Sequence, residues 1–302
     1  MRTTTFRVAA VAAAAALTLA ACGDDGGTDD TTADAGAADA GDDAETGDDA
    51  GATGGAAGSG EGLTIGIKYD QPGLGIMEGS TPTGMDVDVA KAIAEQLGVS
   101  EDQITWTESV SAQRETMLET GQVDMIVATY SITDARKEKV QFAGPYFVAG
   151  QDLLVAADSD ITGPDDLDGK LLCSVAGSTS AEKVKEDVSG VQLQEYQSYS
   201  ECMEQLASGT IEALTTDDTI LAGFAAQDQY AGQFKVVGNP FSEELYGVGL
   251  PKDSDQCEAI NEAITTLWED GTMEQIIEDN LGAAGYTPNA DLNPPEPGGH
   301  CG

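Results

Sequence analysis

The chain has 302 residues, 22% of them charged, with 54 acidic against 13 basic side chains and a formal net charge of −41. Twelve of the acids lie at positions 24–61 and two of the arginines at positions 2 and 7, so 42 acids face 11 bases in residues 62–302, a net of −31. Such a surface has nothing with which to neutralise phosphates, which excludes nucleic acid as a partner; the acidity reads as a solubility feature suited to a salty habitat.

Arg2 and Arg7 give a positive start, and an apolar run from Val8 to Ala21 ends in Leu19-Ala20-Ala21-Cys22. The run is too short to span a bilayer comfortably and has the layout of an export signal. Its ending resembles a bacterial lipobox, which implies a signal peptide at 1–21 and a lipid-modified Cys22 as the first mature residue. Residues 23–60 contain only Asp, Glu, Gly, Ala, Thr and Ser. With no large apolar side chain to offset the entropy of ordering, 22–61 is expected to be a disordered acidic tether, extended by its like charges. No later run is apolar enough for a membrane span. The expectation is an extracytoplasmic protein attached to the outer face of the cell membrane by its lipid alone.

About 240 residues follow, enough for two modest lobes. Leu63–Lys68 alternates as a strand, and Gln71 to Gly75 breaks it. Asp86–Leu97 carries Val89, Ile93 and Leu97 at helical spacing and stops at Gly98. Gln103–Glu108 reads as strand, Ser111–Thr120 as a short helix, and Val123–Ala128 as a buried strand. The grammar then restarts: strands at Leu153–Val155 and Leu171–Val175, a helix from Ser180 to Asp187, a strand at Leu193–Tyr196, a helix at Ser200–Ser208 and a strand at Ile211–Thr215. Strands at Phe234–Val237 and Tyr246–Leu250 precede two helices, Asp255–Asp270 and Thr272–Leu281, and a Pro-rich tail. Alternating strands and helices predict an α/β fold with parallel sheets and crossover helices.

Four cysteines remain after Cys22: Cys173, Cys202, Cys257 and Cys301. An even count in an exported chain favours disulfides, with three connectivities open. There is no CxxC, and His300 is the only histidine, so neither a metal nor a cofactor is expected.

Three polar segments follow predicted strands, where open α/β sheets bind ligands. They are Thr129–Ser131 with Arg136 just beyond, Gly177–Ser180 at a helix start, and Thr216–Asp218. Together they offer a guanidinium, free N–H groups and a carboxylate. The first two suit the carboxylate of an α-amino acid and the third its ammonium.

The runs SAQRETML (111–118), VATYSITDARKEK (127–139), FAGPYF (142–147), GSTS (177–180), TDD (216–218) and YGVGL (246–250) resemble those of the polar amino-acid binding proteins of ABC importers, above all glutamate-binding lipoproteins of the Gram-positive type. The resemblance covers roughly Leu63 to Pro294. It implies a type II periplasmic-binding-protein-like fold: two α/β lobes joined by two crossing hinge strands and closing over a ligand. Lobe 1 would comprise 62–150 and 246–302 and lobe 2 151–245, with crossings near Gln151–Val155 and Tyr246–Leu250.

Carried over by position, Arg136 would grip the ligand α-carboxylate with Ser131 and the N–H groups of Ser178 and Thr179. Asp217 would pair with the ammonium, with the Thr129 carbonyl as a second acceptor. Lys68, Ser111 and Arg114 would face a side-chain carboxylate, which points to glutamate, with glutamine and aspartate as rivals. Met85 stands where the family usually has an aromatic residue, and Gln141 replaces a common acid; neither removes a proposed contact. An ABC permease is the implied partner and a monomer the implied state. Cys173–Cys202 and Cys257–Cys301 are the expected disulfides, because each stays within one lobe and a bridge between lobes would resist the hinge. An enzyme on the same fold would need a general acid or base in the cleft, and only Asp218 is spare for that role.

Overall fold

The computed structural model describes residues 62–302; the signal peptide expected at 1–21, the lipid expected on Cys22 and the tether expected over 22–61 lie outside the described residues. The described chain opens with strand β1 (Leu63–Ile67), then three short strands, β2 (Asp70–Gln71), β3 (Gly75–Glu78) and β4 (Thr81–Thr83), and helix α1 (Met85–Gln96). Next come β5 (Ile104–Glu108), α2 (Arg114–Glu119), β6 (Met125–Ile126), the one-turn α3 (Asp134–Lys137) and β7 (Gln141–Ala149). The second lobe holds β8 (Gln151–Ala156), β9 (Leu171–Val175), α4 (Thr179–Asp187), β10 (Gln192–Tyr196), α5 (Tyr199–Ala207), β11 (Ala213–Asp217), α6 (Asp218–Ala225) and β12 (Phe234–Val236). The chain returns through β13 (Glu244–Leu250) to α7 (Cys257–Glu269) and α8 (Thr272–Leu281).

Two five-stranded sheets result, in the orders β5-β1-β6-β13-β7 and β10-β9-β11-β8-β12. Both are mixed, where the sequence pattern predicts parallel sheets. β5, β1 and β6 run parallel but β13 is antiparallel to β6 and β7. Likewise β10, β9 and β11 are parallel, and β8 is antiparallel to β11 and β12. The antiparallel strands are those next to the interlobe crossings, where a chain that leaves one sheet and later comes back must run in opposite directions. The chain crosses at Gly150, between β7 and β8, and again between Val236 and Glu244. Glu244 and Leu245 pair with Ala149 and Val148, so the return is complete two residues before Tyr246.

Helices cover the sheets through spaced apolar faces. Ile65 and Ile67 of β1 are fully buried in one core with Val89 and Ile93 of α1 and Ile260 and Ile264 of α7. Leu153, Val155 and Leu172 bury Val184 of α4 on the other sheet. Helix starts follow their caps. Ser198 accepts the Glu201 amide and Glu201 returns to the Ser198 amide, a capping box for α5, and the Ser178 hydroxyl accepts the Ala181 amide at 3.0 Å to open α4.

β7 is absent from the sequence reading because Gly144 and Pro145 look like a break. The strand tolerates them because it is a sheet edge and its register with β13 shifts opposite them, between Tyr246 and Val248. Its outer edge is covered by the C-terminal tail and α7. Asn293 bonds both the amide and the carbonyl of Val148, at 3.0 and 2.9 Å, and Asn261 accepts the Gly144 amide at 2.7 Å. The Phe142 amide donates to the His300 carbonyl at 3.2 Å. Gln141 donates to the carbonyls of Pro251 and Ser254 and accepts the Gly302 amide. Cys257 is bonded to Cys301, which staples this tail, and Cys173 of β9 is bonded to Cys202 of α5. No helix among the described residues is long and apolar enough to cross a membrane.

Candidate functional site

The carboxyl ends of β6 and β11, the start of α4 and the turn after β2 meet between the lobes. They enclose a nearly closed cavity of about 10 Å³. Gln71, Ser111, Arg114, Thr129 and Arg136 line it from the first lobe, and Ser178, Thr179, Ser180, Tyr199, Asp217 and Ile220 from the second. Ser131 and Lys68 of the sequence-derived set stand behind this lining. Larger grooves open on the surface, one of them beside Pro164, Lys183 and Phe241, but none gathers two buried guanidiniums.

Arg136 sits on α3, whose start is fixed by the Thr133 hydroxyl accepting the Arg136 amide at 3.2 Å. Its guanidinium donates to the Ser131 carbonyl at 2.7 Å and, across the cleft, to the Gly177 carbonyl at 3.1 Å, and its Nε lies 3.3 Å from Glu115 Oε1. Arg114, at the start of α2, is 2% exposed, and its Nε meets no acceptor among the described residues. Both guanidiniums lie over the Tyr130 ring, at 4.8 and 5.0 Å. Burial, and then the neighbouring Arg136 charge, lower the Arg114 pKa. Two cations held this close in a dry cleft favour an anion between them.

Lys68 is fully buried, with Nζ 2.9 Å from Asp70 Oδ1. Burial lowers its pKa and the Asp70 charge opposes that shift. Its charge faces that of Asp70 inside the lobe, although neither Nζ nor Oδ1 makes a well-aligned hydrogen bond there. The Ser131 hydroxyl lies 3.3 Å from that of Thr179, one lobe touching the other. Thr129 adopts φ 45°, alone among the described non-glycine residues, and its hydroxyl lies 3.3 Å from Gln71 Oε1.

On the second lobe, Gly177 at φ 77° makes the turn that lets the Ser178 amide donate to the Val175 carbonyl at 3.1 Å. The Ser178 N–H, expected from the sequence to meet the ligand, is therefore used internally. The N–H groups of Thr179 and Ser180, the first two of α4, have no intrahelical acceptor and are the ones left for an anion. A Cβ on Gly177 would stand 2.7 Å from the Ala112 Cα of the opposite lobe, so glycine also permits this close approach.

Asp217 ends β11 with 3% exposure. Its Oδ2 accepts from the Tyr246 hydroxyl at 2.7 Å and its Oδ1 from Ser180 at 3.4 Å. Burial, and then the charge of Glu244, raise its pKa. A cation beside it would restore the ionised form. Burial also works to raise the Glu244 carboxyl, but bonds from Lys183, Ser131 and Thr179 hold it below the usual range.

Glu115, Gln71, Ser180 and Tyr199 complete the site and are missing from the sequence-derived set. Glu115 is one step from Arg114 on the same helix and accepts from the Tyr130 hydroxyl at 2.9 Å; the SAQRETML run carried that signal. Tyr199 gave none beyond its place next to a capping serine. The whole arrangement offers anion-binding groups at two points and one carboxylate, which suits a small zwitterion with a further acidic group.

Residues 63–283 match the family model for bacterial extracellular solute-binding proteins, family 3. The glutamate-binding protein GluB of Corynebacterium glutamicum is 49% identical over 233 residues, which is 73% of this chain and 78% of that protein. A glutamine-binding protein of Geobacillus stearothermophilus is 37% identical over 195 residues, 64% of this chain and 73% of the other. Among solved structures, an ancestral arginine-binding protein bound to glutamine superposes with a TM-score of 0.68 at 35% identity, covering 74% of this chain and 98% of that one. The GluR0 ligand-binding core from Nostoc punctiforme, in complex with L-glutamate, gives 0.65 at 27% identity, covering 72% and 99%. Family match, relatives and the two-lobed fold agree: the chain belongs to the bacterial extracellular solute-binding proteins of family 3.

Proposed function

We propose that this protein captures L-glutamate in the cleft and presents it to the permease of an ABC importer. The observation that carries the acidic ligand is Arg114, buried at the cavity beside a second guanidinium and with its Nε unpartnered among the described residues. Arg136 with the Thr179 and Ser180 amides takes the α-carboxylate. Asp217 takes the ammonium with the Thr129 carbonyl, and Arg114 with Ser111 takes the side-chain carboxylate. The likeness to GluB supports the same ligand. Glutamine and aspartate are the competitors: glutamine lacks the charge for Arg114, and aspartate is one methylene shorter.

The lobes divide at Gly150 and Glu244, and the protein acts as a monomer tethered by a lipid on Cys22. A thermal-shift panel of the twenty amino acids on the purified 62–302 domain tests the ligand. Glutamate should give the largest rise in melting temperature, about 2.7 kcal/mol of added stability at a hundredfold excess over Kd. A larger rise with glutamine would sink the acidic assignment. Cys22→Ser should shift the protein from the membrane to the soluble fraction, and unchanged fractionation refutes the anchor.

A further inference from the structure

The turn from Asp70 to Pro72 belongs to the first lobe but touches the second at two separate helices. Asp70 Oδ1 lies 2.9 Å from the buried Lys68 Nζ, while Asp70 Oδ2 accepts the backbone N–H of Tyr199 at 2.8 Å. Tyr199 is the first residue of α5 in the opposite lobe. The Ser200 hydroxyl reaches the Asp70 carbonyl at 3.5 Å. Two residues on, the Pro72 carbonyl seats on Gly223 in α6, where a Cβ would overlap its oxygen. Between these two anchor points Gln71 looks into the cavity, opposite Tyr199.

We propose that Asp70–Pro72 is the latch of the closed state, positioning rather than reading the ligand. The reasoning is chemical. Asp70 meets an otherwise unsatisfied donor at a helix N-terminus, where a carboxylate also complements the helix dipole. That contact exists only when the lobes are together. Lys68 holds the carboxylate in place from behind and is neutralised by it, so the pair adds little net charge for a side chain to sense. On the other side, Gly223 costs helix propensity within α6, and the Pro72 carbonyl it admits is the structural return. The latch stabilises the closed complex whatever the ligand's side chain, so it sets the release rate and not the choice of ligand. It rests on the reading of the cavity as an amino-acid site.

The test uses Asp70→Asn, Asp70→Ala and Gly223→Ala. Alanine favours the helix, so Gly223→Ala leaves the open protein folded even if Asp70→Ala, which strands Lys68, does not. Stopped-flow kinetics with L-glutamate and L-glutamine should show release faster by about tenfold or more in Asp70→Ala and Gly223→Ala, the scale of one hydrogen bond to a charged group. Asp70→Asn, which keeps a neutral acceptor, should fall between these variants and wild type. Association should stay within about twofold, and the glutamate-to-glutamine ratio should hold, since affinity tuned through closure appears in the off-rate. Unchanged release in Gly223→Ala overturns the latch. A collapsed ratio in Asp70→Asn overturns it too, by showing that Lys68 and Asp70 read the side chain. Deuterium exchange at the Tyr199 amide of the glutamate-saturated protein reads the contact directly: it should be faster in Asp70→Ala and Gly223→Ala than in wild type, and equal rates count against the proposal. Wild type binding neither amino acid defeats the glutamate reading instead.

Discussion

Asp86 lies in the first turn of α1, fully buried, with Oδ1 accepting from the Tyr146 hydroxyl at 2.7 Å. Its Oδ2 meets no hydrogen-bond partner among the described residues. Burial, only partly offset by the Tyr146 bond, pushes the Asp86 carboxyl up to about 6, and burial pushes Asp218 up to about 6 as well. Both groups hold protons in the folded chain that the unfolded chain releases above about pH 4. Stability should therefore fall as the pH climbs from about 4 through 6. Glu244, held low, acts in the opposite sense but only on acidification through the usual carboxylate range and below. The melting temperature of the unliganded domain should be several degrees higher at pH 5 than at pH 7.5, and Asp86→Asn should shrink that difference. A melting temperature that rises over this interval contradicts the assignment. Arg136 could be placed at the cleft from the sequence because its segment follows a predicted strand, and Arg114 because its run SAQRETML resembles that of amino-acid binding proteins. The Lys68–Asp70 pairing could not, since a lysine two residues from an aspartate says nothing about which of them faces the ligand.

Among the elements, the tail after α8 does most to finish the first sheet. It supplies Asn293 and the His300 carbonyl to the free edge of β7, the groups that an edge strand otherwise leaves to solvent or to another chain. Tyr286, also on the tail, reaches Asp218 of the second lobe at 3.3 Å. The Cys257–Cys301 bond closes a loop of 44 residues, worth about 4 kcal/mol by chain entropy. Replacing both cysteines by serine should lower the melting temperature by about 10 °C and speed deuterium exchange at the β7 amides of Phe142 and Val148. The matching change at Cys173 and Cys202 should lower the melting temperature and leave those two amides protected. Protected β7 amides in the first variant would mean that the tail does not depend on its staple.

Helices with clean starts and stops, α1, α4, α5, α7 and α8, were legible from spacing and caps. The one-turn α3, the small sheet of β2, β3 and β4, and α6 were not. α6 carries Gly223 at a contact with the other lobe, a tertiary requirement that looks like a weak helix in sequence. The sense of β8 and β13 was hidden for a similar reason, because strand direction depends on where the chain crosses between lobes.

At the scale of the whole molecule, charge and fold work in opposite directions. Residues 62–302 carry a net charge of −31, yet Arg114 and Arg136 are 2% and 8% exposed at the cleft between the lobes. An acidic ligand approaches against the overall field and is held by a local one. The lobes already meet through Ser131 and Thr179, Arg136 and Gly177, and Tyr246 and Asp217, so recognition and closure share residues. Arg136 and Arg114 are proposed to divide the ligand between them, one taking the carboxylate common to all amino acids and the other the side-chain carboxylate. Removing one partner of a buried charge pair costs about 3–5 kcal/mol. In isothermal titration, Arg136→Ala should weaken glutamate and glutamine alike, by about two to three orders of magnitude. Arg114→Ala should weaken glutamate to a similar extent and glutamine far less, narrowing or inverting the wild-type preference. Equal losses of the two ligands in Arg114→Ala would contradict the account.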